Sequence, residues 1–165
     1  MHETSDEHDF DFLIGRWDVA HRRLEKRLEG CDAWQEFAGT CSMQRTLGGR
    51  GNVDDNVIEM PGAPYRAVTL RAFDAAKRLW AIWWLDGRHP HRLDPPLVGA
   101  YEDGVGTFFA DDSFEGRPIR VRFLWTLTRT ASPQWQQSFS ADGGTTWEPN
   151  WTMRFVRSAG TPRPT

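Results

Sequence analysis

Cysteine is almost missing from this 165-residue chain: Cys31 and Cys41 are its only two, too few for a disulfide framework and without the spacing of a metal motif. Both are expected to be reduced thiols. Long apolar runs are missing as well, since no stretch approaches the ~20 residues of a membrane-spanning helix. The opening MHETSDEHDFDF is acidic where a signal peptide would be cationic and then apolar. These absences predict a cytoplasmic protein with no membrane partner. There is no excess of positive charge either: 20 Lys and Arg stand against 23 Asp and Glu, a formal net charge of -3. With no basic stripe to hold phosphates, nucleic acid is not an expected partner. The chain also lacks G-x-S-x-G, H-E-x-x-H, a P-loop and a dinucleotide fingerprint, which removes the common hydrolase and nucleotide-binding classes.

What the chain has in abundance is aromatic surface, with nine Trp and ten Phe that have to line a core, a cavity or an interface. Turn signals punctuate it at short intervals: Gly30, Leu47-Gly48-Gly49, Pro61-Gly62, Asp86-Gly87, Asp103-Gly104, Glu115-Gly116 and Asp142-Gly143-Gly144. Between them the hydrophobic pattern has period two, as in Trp17, Val19 and His21, or Ile119, Val121, Phe123 and Trp125. The segments 14–24, 33–45, 51–60, 66–73, 78–85, 96–102, 106–114, 118–129, 133–140 and 146–157 read as about ten strands. His8 to Leu13 and Glu25 to Glu29 are the only stretches suited to a helical turn.

Connections this short leave little room for crossover helices, so an antiparallel meander is expected. A meander hides its edges most simply by closing into an up-and-down barrel. A sandwich is the structural rival, although no long Greek-key connection is apparent. One all-β domain is expected over 1–165, with the barrel over 10–157 and a tail at 158–165.

Ser140, Asp142, Gly144, Thr146 and Trp147 spell S-x-D-x-G-x-T-W, the Asp-box pattern of sialidases and other propeller proteins. It occurs once, with no repeat of propeller length around it. Sialidase chemistry would also need an arginine cluster and a tyrosine nucleophile, and the chain offers only Tyr65 and Tyr101. Asp142, Gly144 and Trp147 are therefore expected to lock the last hairpin.

Gly15-x-Trp17, following a helix-prone segment, resembles the G-x-W opening of lipocalins and related calycin barrels. A likeness over nearly the whole chain, carried by FDFLIGRWDV, a Leu-Gly-Gly, Trp-x-x-x-Trp and SxDGGxTWexNWxMxF, is to a bacterial lipocalin-like family whose function is unassigned. The resemblance implies a barrel in which Gly15 opens the first strand and Trp17 packs across the closed end beneath an arginine. Arg157, in phase with Trp151, Met153 and Phe155, suits that role better than Arg154. It implies no activity.

Aromatic walls with a few convergent polar groups suit a small apolar or amphipathic ligand. The residues expected at such a site are Trp17, His21, Trp84, Tyr101, Arg122, Gln137 and Trp151. His21 and Arg23 share the phase of Trp17, and Gln137 that of Trp135 and Phe139. Arg120 and Arg122 stand outside if the neighbouring Ile, Val and Phe face the core, whereas reversing the phase would make Arg122 an inward anion clamp. Leu79 to Leu85 is apolar on both faces, which predicts a covered strand or a homodimer interface.

His89-Pro90-His91 beside Asp86 lacks a fixed third metal ligand, and a haem ligand on the last strands is lacking because no His follows His91. No metal or cofactor is expected. A ligand-binding barrel is the leading expectation. A cofactor-free lyase or isomerase using Tyr101, Glu102, Glu59 or His21 with Arg122 is the alternative, and a filled barrel acting through its dimer surface is a third. No catalytic set is singled out.

Overall fold

The computed structural model describes residues 4–159. Ten strands follow one another: Gly15–Leu24 (β1), Trp34–Thr46 (β2), Gly51–Ile58 (β3), Tyr65–Asp74 (β4), Leu79–Asp86 (β5), Leu97–Glu102 (β6), Val105–Phe114 (β7), Arg117–Thr126 (β8), Gln134–Ser140 (β9) and Glu148–Arg157 (β10). Each pairs antiparallel with the next, and β1 pairs with β10 from Trp17↔Arg157 to Arg23↔Trp151, so the sheet closes on itself. This is the expected all-β up-and-down barrel, in which closure gives every strand a neighbour on both sides. No helix among the described residues is long and apolar enough to cross a membrane.

Period two decides what is inside. In β1, Trp17, Val19 and His21 are buried while Arg16, Asp18, Ala20 and Arg22 are exposed. In β8, Ile119, Val121, Phe123 and Trp125 are buried, and in β10 the buried set includes Trp151, Met153 and Phe155.

Strand ends depart from the expected bounds for local reasons. Strand β8 stops at Thr126 because Leu127 takes a positive φ of 53°. Strand β10 starts at Glu148 because the Thr146 amide donates to the Asp142 carboxylate, 2.9 Å away, instead of to a neighbouring strand. Glu25 to Glu29 forms bends and no helix: Leu28 has φ 59° and its amide donates to Glu148 Oε1 at 2.8 Å, which pins the loop to β10. Part of the expected tail, 160–165, lies outside the described residues. Ser158 is tied down, its amide donating to the Arg16 carbonyl at 3.1 Å and its hydroxyl to Asp18 at 2.9 Å.

The segment before β1 crosses one end of the barrel through a 3-10 turn at Asp11–Leu13. Phe10 enters that end edge-on to Trp80, Tyr101 and Trp125, with centroids at 5.0, 5.2 and 6.1 Å. The Trp17 indole N–H donates to the Leu13 carbonyl at 2.9 Å, and the Arg157 guanidinium lies 3.8 Å from the Trp17 ring. Arg157 also donates to the carbonyls of Phe12 and Ile14. The cation–ring contact at this exposed site contributes about 0.5 to 1 kcal/mol. Its larger effect is to fasten the plug to the last strand.

The opposite end stays open. Strand β5 pairs with β6 through only Trp80↔Gly99, Ala81↔Val98 and Ile82↔Leu97. Beyond Ile82 the wall is completed by the β5–β6 loop, which returns through the Leu85↔Leu93 bridge and an Asp94 amide bond to the Trp84 carbonyl at 3.2 Å.

Gly15 begins β1 at φ 111°, and a Cβ there would stand 2.6 Å from Arg157 Nη1. Gly15→Ala is expected to lower unfolding free energy by about 1 to 3 kcal/mol, measured by urea denaturation. A variant as stable as the parent would refute this account of the closed end.

Candidate functional site

A cavity of about 230 Å³ opens at the unplugged end. Its apolar wall includes Trp84 on β5, Leu97 on β6, Ala110 and Phe114 on β7, Val121 and Phe123 on β8, Trp135 and Phe139 on β9, and Trp151 on β10. Trp151 is the centre of an edge-to-face cluster, 6.0 Å from Trp84 and 5.5 Å from Trp135, with interplanar angles of 84° and 86°. Phe123 meets Trp135 at 4.9 Å. Aromatic pairs in this arrangement each add about 0.5 to 1.5 kcal/mol beyond their burial, so the cage is rigid.

Polar groups gather around that wall. Gln137 points inward and its amide N–H donates to Asn150 Oδ1 at 2.9 Å. Arg23, in the inward phase of β1, lies over the Trp151 ring at 4.9 Å. The mouth adds Arg27, Tyr65, Asp86, Arg88, Arg92, Asp94 and Asp112. Burial lowers the Arg23 pKa, and the neighbouring Arg27 lowers it further, to about 10, which leaves it a cation at neutral pH. Burial raises the Asp94 pKa, and the Asp112 charge adds to the shift.

Below the cage is a second polar layer. Trp84, Phe123 and Trp135 also line a space of about 30 Å³ whose far wall is Asp54, Asn56, Thr69 and Arg71. Arg71 donates to Asp54 at 2.7 Å and to Asn52 at 2.9 Å, and Asn56 donates to Asp54 at 2.6 Å. Both charged side chains are 5 % exposed or less. A buried pair stripped of one partner leaves an uncompensated charge, which costs roughly 3 to 5 kcal/mol. Asn52, Asp54 and Asn56 alternate along β3 opposite Arg71 and Thr69 on β4, so this barrel has polar side chains on part of its inner face. The signal is the Asn-x-Asp-x-Asn spacing within GNVDDNVI, which the sequence reading passed over.

The expected site residues separate into groups. Trp84, Gln137 and Trp151 come together at the cavity. Trp17 is at the plugged end beneath Arg157. Tyr101 is there too, packed on Phe10 and Phe108, its hydroxyl buried with no partner among the described residues.

Arg122 is on the outer face, its guanidinium 4.5 Å from the Trp147 ring. The apolar residues of β8 take the inside, so the reversed phase that would aim Arg122 inward does not occur. Trp147 is folded onto that face by the Asp-box hairpin. Ser140 and Thr146 both donate to the Asp142 carboxylate, and the Gly144 amide donates to Ser140 Oγ at 2.8 Å. These bonds from the Thr146 hydroxyl and amide, with that from Ser140, hold the Asp142 pKa down at about 2.

Glu59 and Glu102 are exposed, so the acid–base set of Tyr101, Glu102, Glu59, His21 and Arg122 does not converge on one point. Asp86, near His89 and His91 in sequence, is held by Arg88 through bonds of 2.8 and 3.1 Å.

His21 is inward and buried, and it stands behind the cage. Its Nδ1 accepts the Trp151 indole N–H at 3.1 Å, and its ring stacks on Phe37 at 4.9 Å. Gly39 makes room for it, because a Cβ there would be 2.7 Å from His21 Nε2. His21 therefore orients a wall residue. No family model matches this chain, and no curated protein matches it.

Burial, together with the charge of Arg23, lowers the His21 pKa to about 4. The unfolded chain then takes up this proton before the folded one, so stability is complete above about pH 6.5 and falls toward pH 4, by on the order of 3 kcal/mol. Urea unfolding from pH 7 to 4.5 should show the loss in the parent, and His21→Gln, which keeps an acceptor for Trp151, should show much less of it. The same pH dependence in both proteins would remove His21 as the cause.

Proposed function

We propose that the chain is a lipocalin-like binding barrel holding a small, partly apolar guest between Trp84, Trp135 and Trp151. The observation that supports this most is the cavity. Interiors selected for stability alone pack to crystal-like density, yet here three indoles in edge-to-face contact border about 230 Å³ of space. That volume is below the roughly 300 to 1,000 Å³ of drug-sized sites, so the guest is small. Gln137 and Arg23 supply the few convergent polar groups that fix orientation in such pockets. The Gly15, Trp17 and Arg157 arrangement at the other end supports the lipocalin-like assignment.

Native mass spectrometry of gently purified protein, followed by denaturation and identification of what is released, tests the reading. A stoichiometric small organic adduct is expected. A clean protein mass, together with no binding of a small fluorescent apolar probe, would overturn it.

A second reading, self-association through the outer face of β4 to β6, rests on Leu70, Val98 and Leu93, which are 42 %, 42 % and 56 % exposed. Leu70 lies opposite Trp83, and Ala81 opposite Val98, across adjacent strands. Sedimentation equilibrium is expected to show a dimer that Val98→Glu weakens. A monomer at high concentration would sink it.

A further inference from the structure

The arginines at the cavity mouth are not equivalent. Arg88 is fully engaged, bidentate on Asp86 and 3.7 Å from the Tyr65 ring. Arg23 and Arg27 have no carboxylate within ion-pair distance among the described residues. Arg23 reaches only the Met60 sulfur at 4.0 Å and the face of Trp151, and its Nε is buried without a partner. Arg27 reaches the Leu24 carbonyl at 3.4 Å and the Phe114 ring at 5.0 Å. Glu115 and Glu148 act on Arg27 from a distance, but Glu148 already accepts the Leu28 amide.

Two cations placed together and partly desolvated repel each other and lose hydration. Asp86 offsets this for Arg23, and Glu115 and Glu148 for Arg27, only without bonding to them, so an anion bonded to both guanidinium groups would stabilise the pair. Tyr65 lines the same space, its ring under the Arg88 guanidinium. Arg23, Arg27 and Tyr65 therefore share the mouth of the cavity, with Arg23 over the Trp151 ring of the cage and Arg27 over Phe114.

We propose that the guest carries a carboxylate, clamped by Arg23 and Arg27 with Tyr65 beside them, while its aromatic or alkyl body enters between Trp84 and Trp151. This rests on the cavity being the binding site. A guanidinium fork matches the two oxygens of a carboxylate and retains that match when water is excluded. Asp94 and Asp112 also line this space, so a guest bearing a second negative group meets like charge. The site selects monocarboxylates over dicarboxylates.

Phenylacetate, phenylacetamide, phenethylamine and phenylmalonate serve as probes, read by the indole N–H signals of Trp84, Trp135 and Trp151 in ¹⁵N-correlated NMR at low salt. Phenylacetate is expected to bind at least tenfold more tightly than the isosteric amide and than the dianionic phenylmalonate. That advantage should disappear in Arg23→Gln/Arg27→Gln, while the amide's affinity changes less than twofold. Arg27→Gln alone, at the more exposed position, should remove part of it even if the double variant folds poorly. Equal binding of acid and amide, an advantage that survives in both variants, or preference for phenethylamine or phenylmalonate would overturn the proposal and leave the cavity as an apolar site. If none of the four moves these signals at millimolar concentration, the cavity does not take guests of this kind, and the binding reading falls with the carboxylate clamp.

Discussion

The ladder between β1 and β10 is the constraint on which both ends of the molecule depend. Its register places Trp17 opposite Arg157 at one end and Arg23 opposite Trp151 at the other. The same set of hydrogen bonds thus closes the barrel, fastens the plug through Arg157, and sets a cation on the central indole of the cavity. A slip of one residue would turn every inward side chain of the strand outward. Register here determines the site as well as the wall.

The two ends solve opposite problems. At the plugged end, Phe10 meets Trp80, Tyr101 and Trp125 edge-to-face, and Tyr101 meets Phe108 in the same way, so that rings fill the interior. At the open end the rings of Trp84, Trp135 and Trp151 are arranged around space. His21 makes this wall rigid by accepting the Trp151 N–H, and it remains neutral there because charging it would cost both its solvation and that bond. The Arg71–Asp54 layer separates the two regions. A layer of this kind is expensive to desolvate, and its carboxylate accepts bonds from Asn56, from the Thr69 amide and from Arg71, which offsets much of that cost.

Much of the architecture was legible because short strands with period two between glycine-bearing turns admit few closed solutions. The Asp-box hairpin could be placed because it is a local pattern, whereas the arginine above Trp17 came from the resemblance to lipocalins, with strand phase only choosing Arg157 over Arg154. The site was legible only in pieces. Trp84, Gln137 and Trp151 were named, but so were Tyr101, which belongs to the plug, and Arg122, which stacks outside on Trp147. Sequence phase says which side a residue is on and not how far along the barrel axis it lies. The inward Asn52, Asp54 and Asn56 were passed over because alternating polar residues ordinarily mark a solvated face.

By itself, the sequence determined the class of fold, the near-absence of helix, the lock on the last hairpin and the aromatic character of the interior. These depend on neighbours a few residues apart. Only the tertiary structure decided which end is plugged, which indoles surround space, and that Arg23 and Arg27 share one mouth without a carboxylate partner. Those facts join residues from strands far apart in the chain, and they follow from the register and tilt of a closed sheet, to which no local pattern is sensitive.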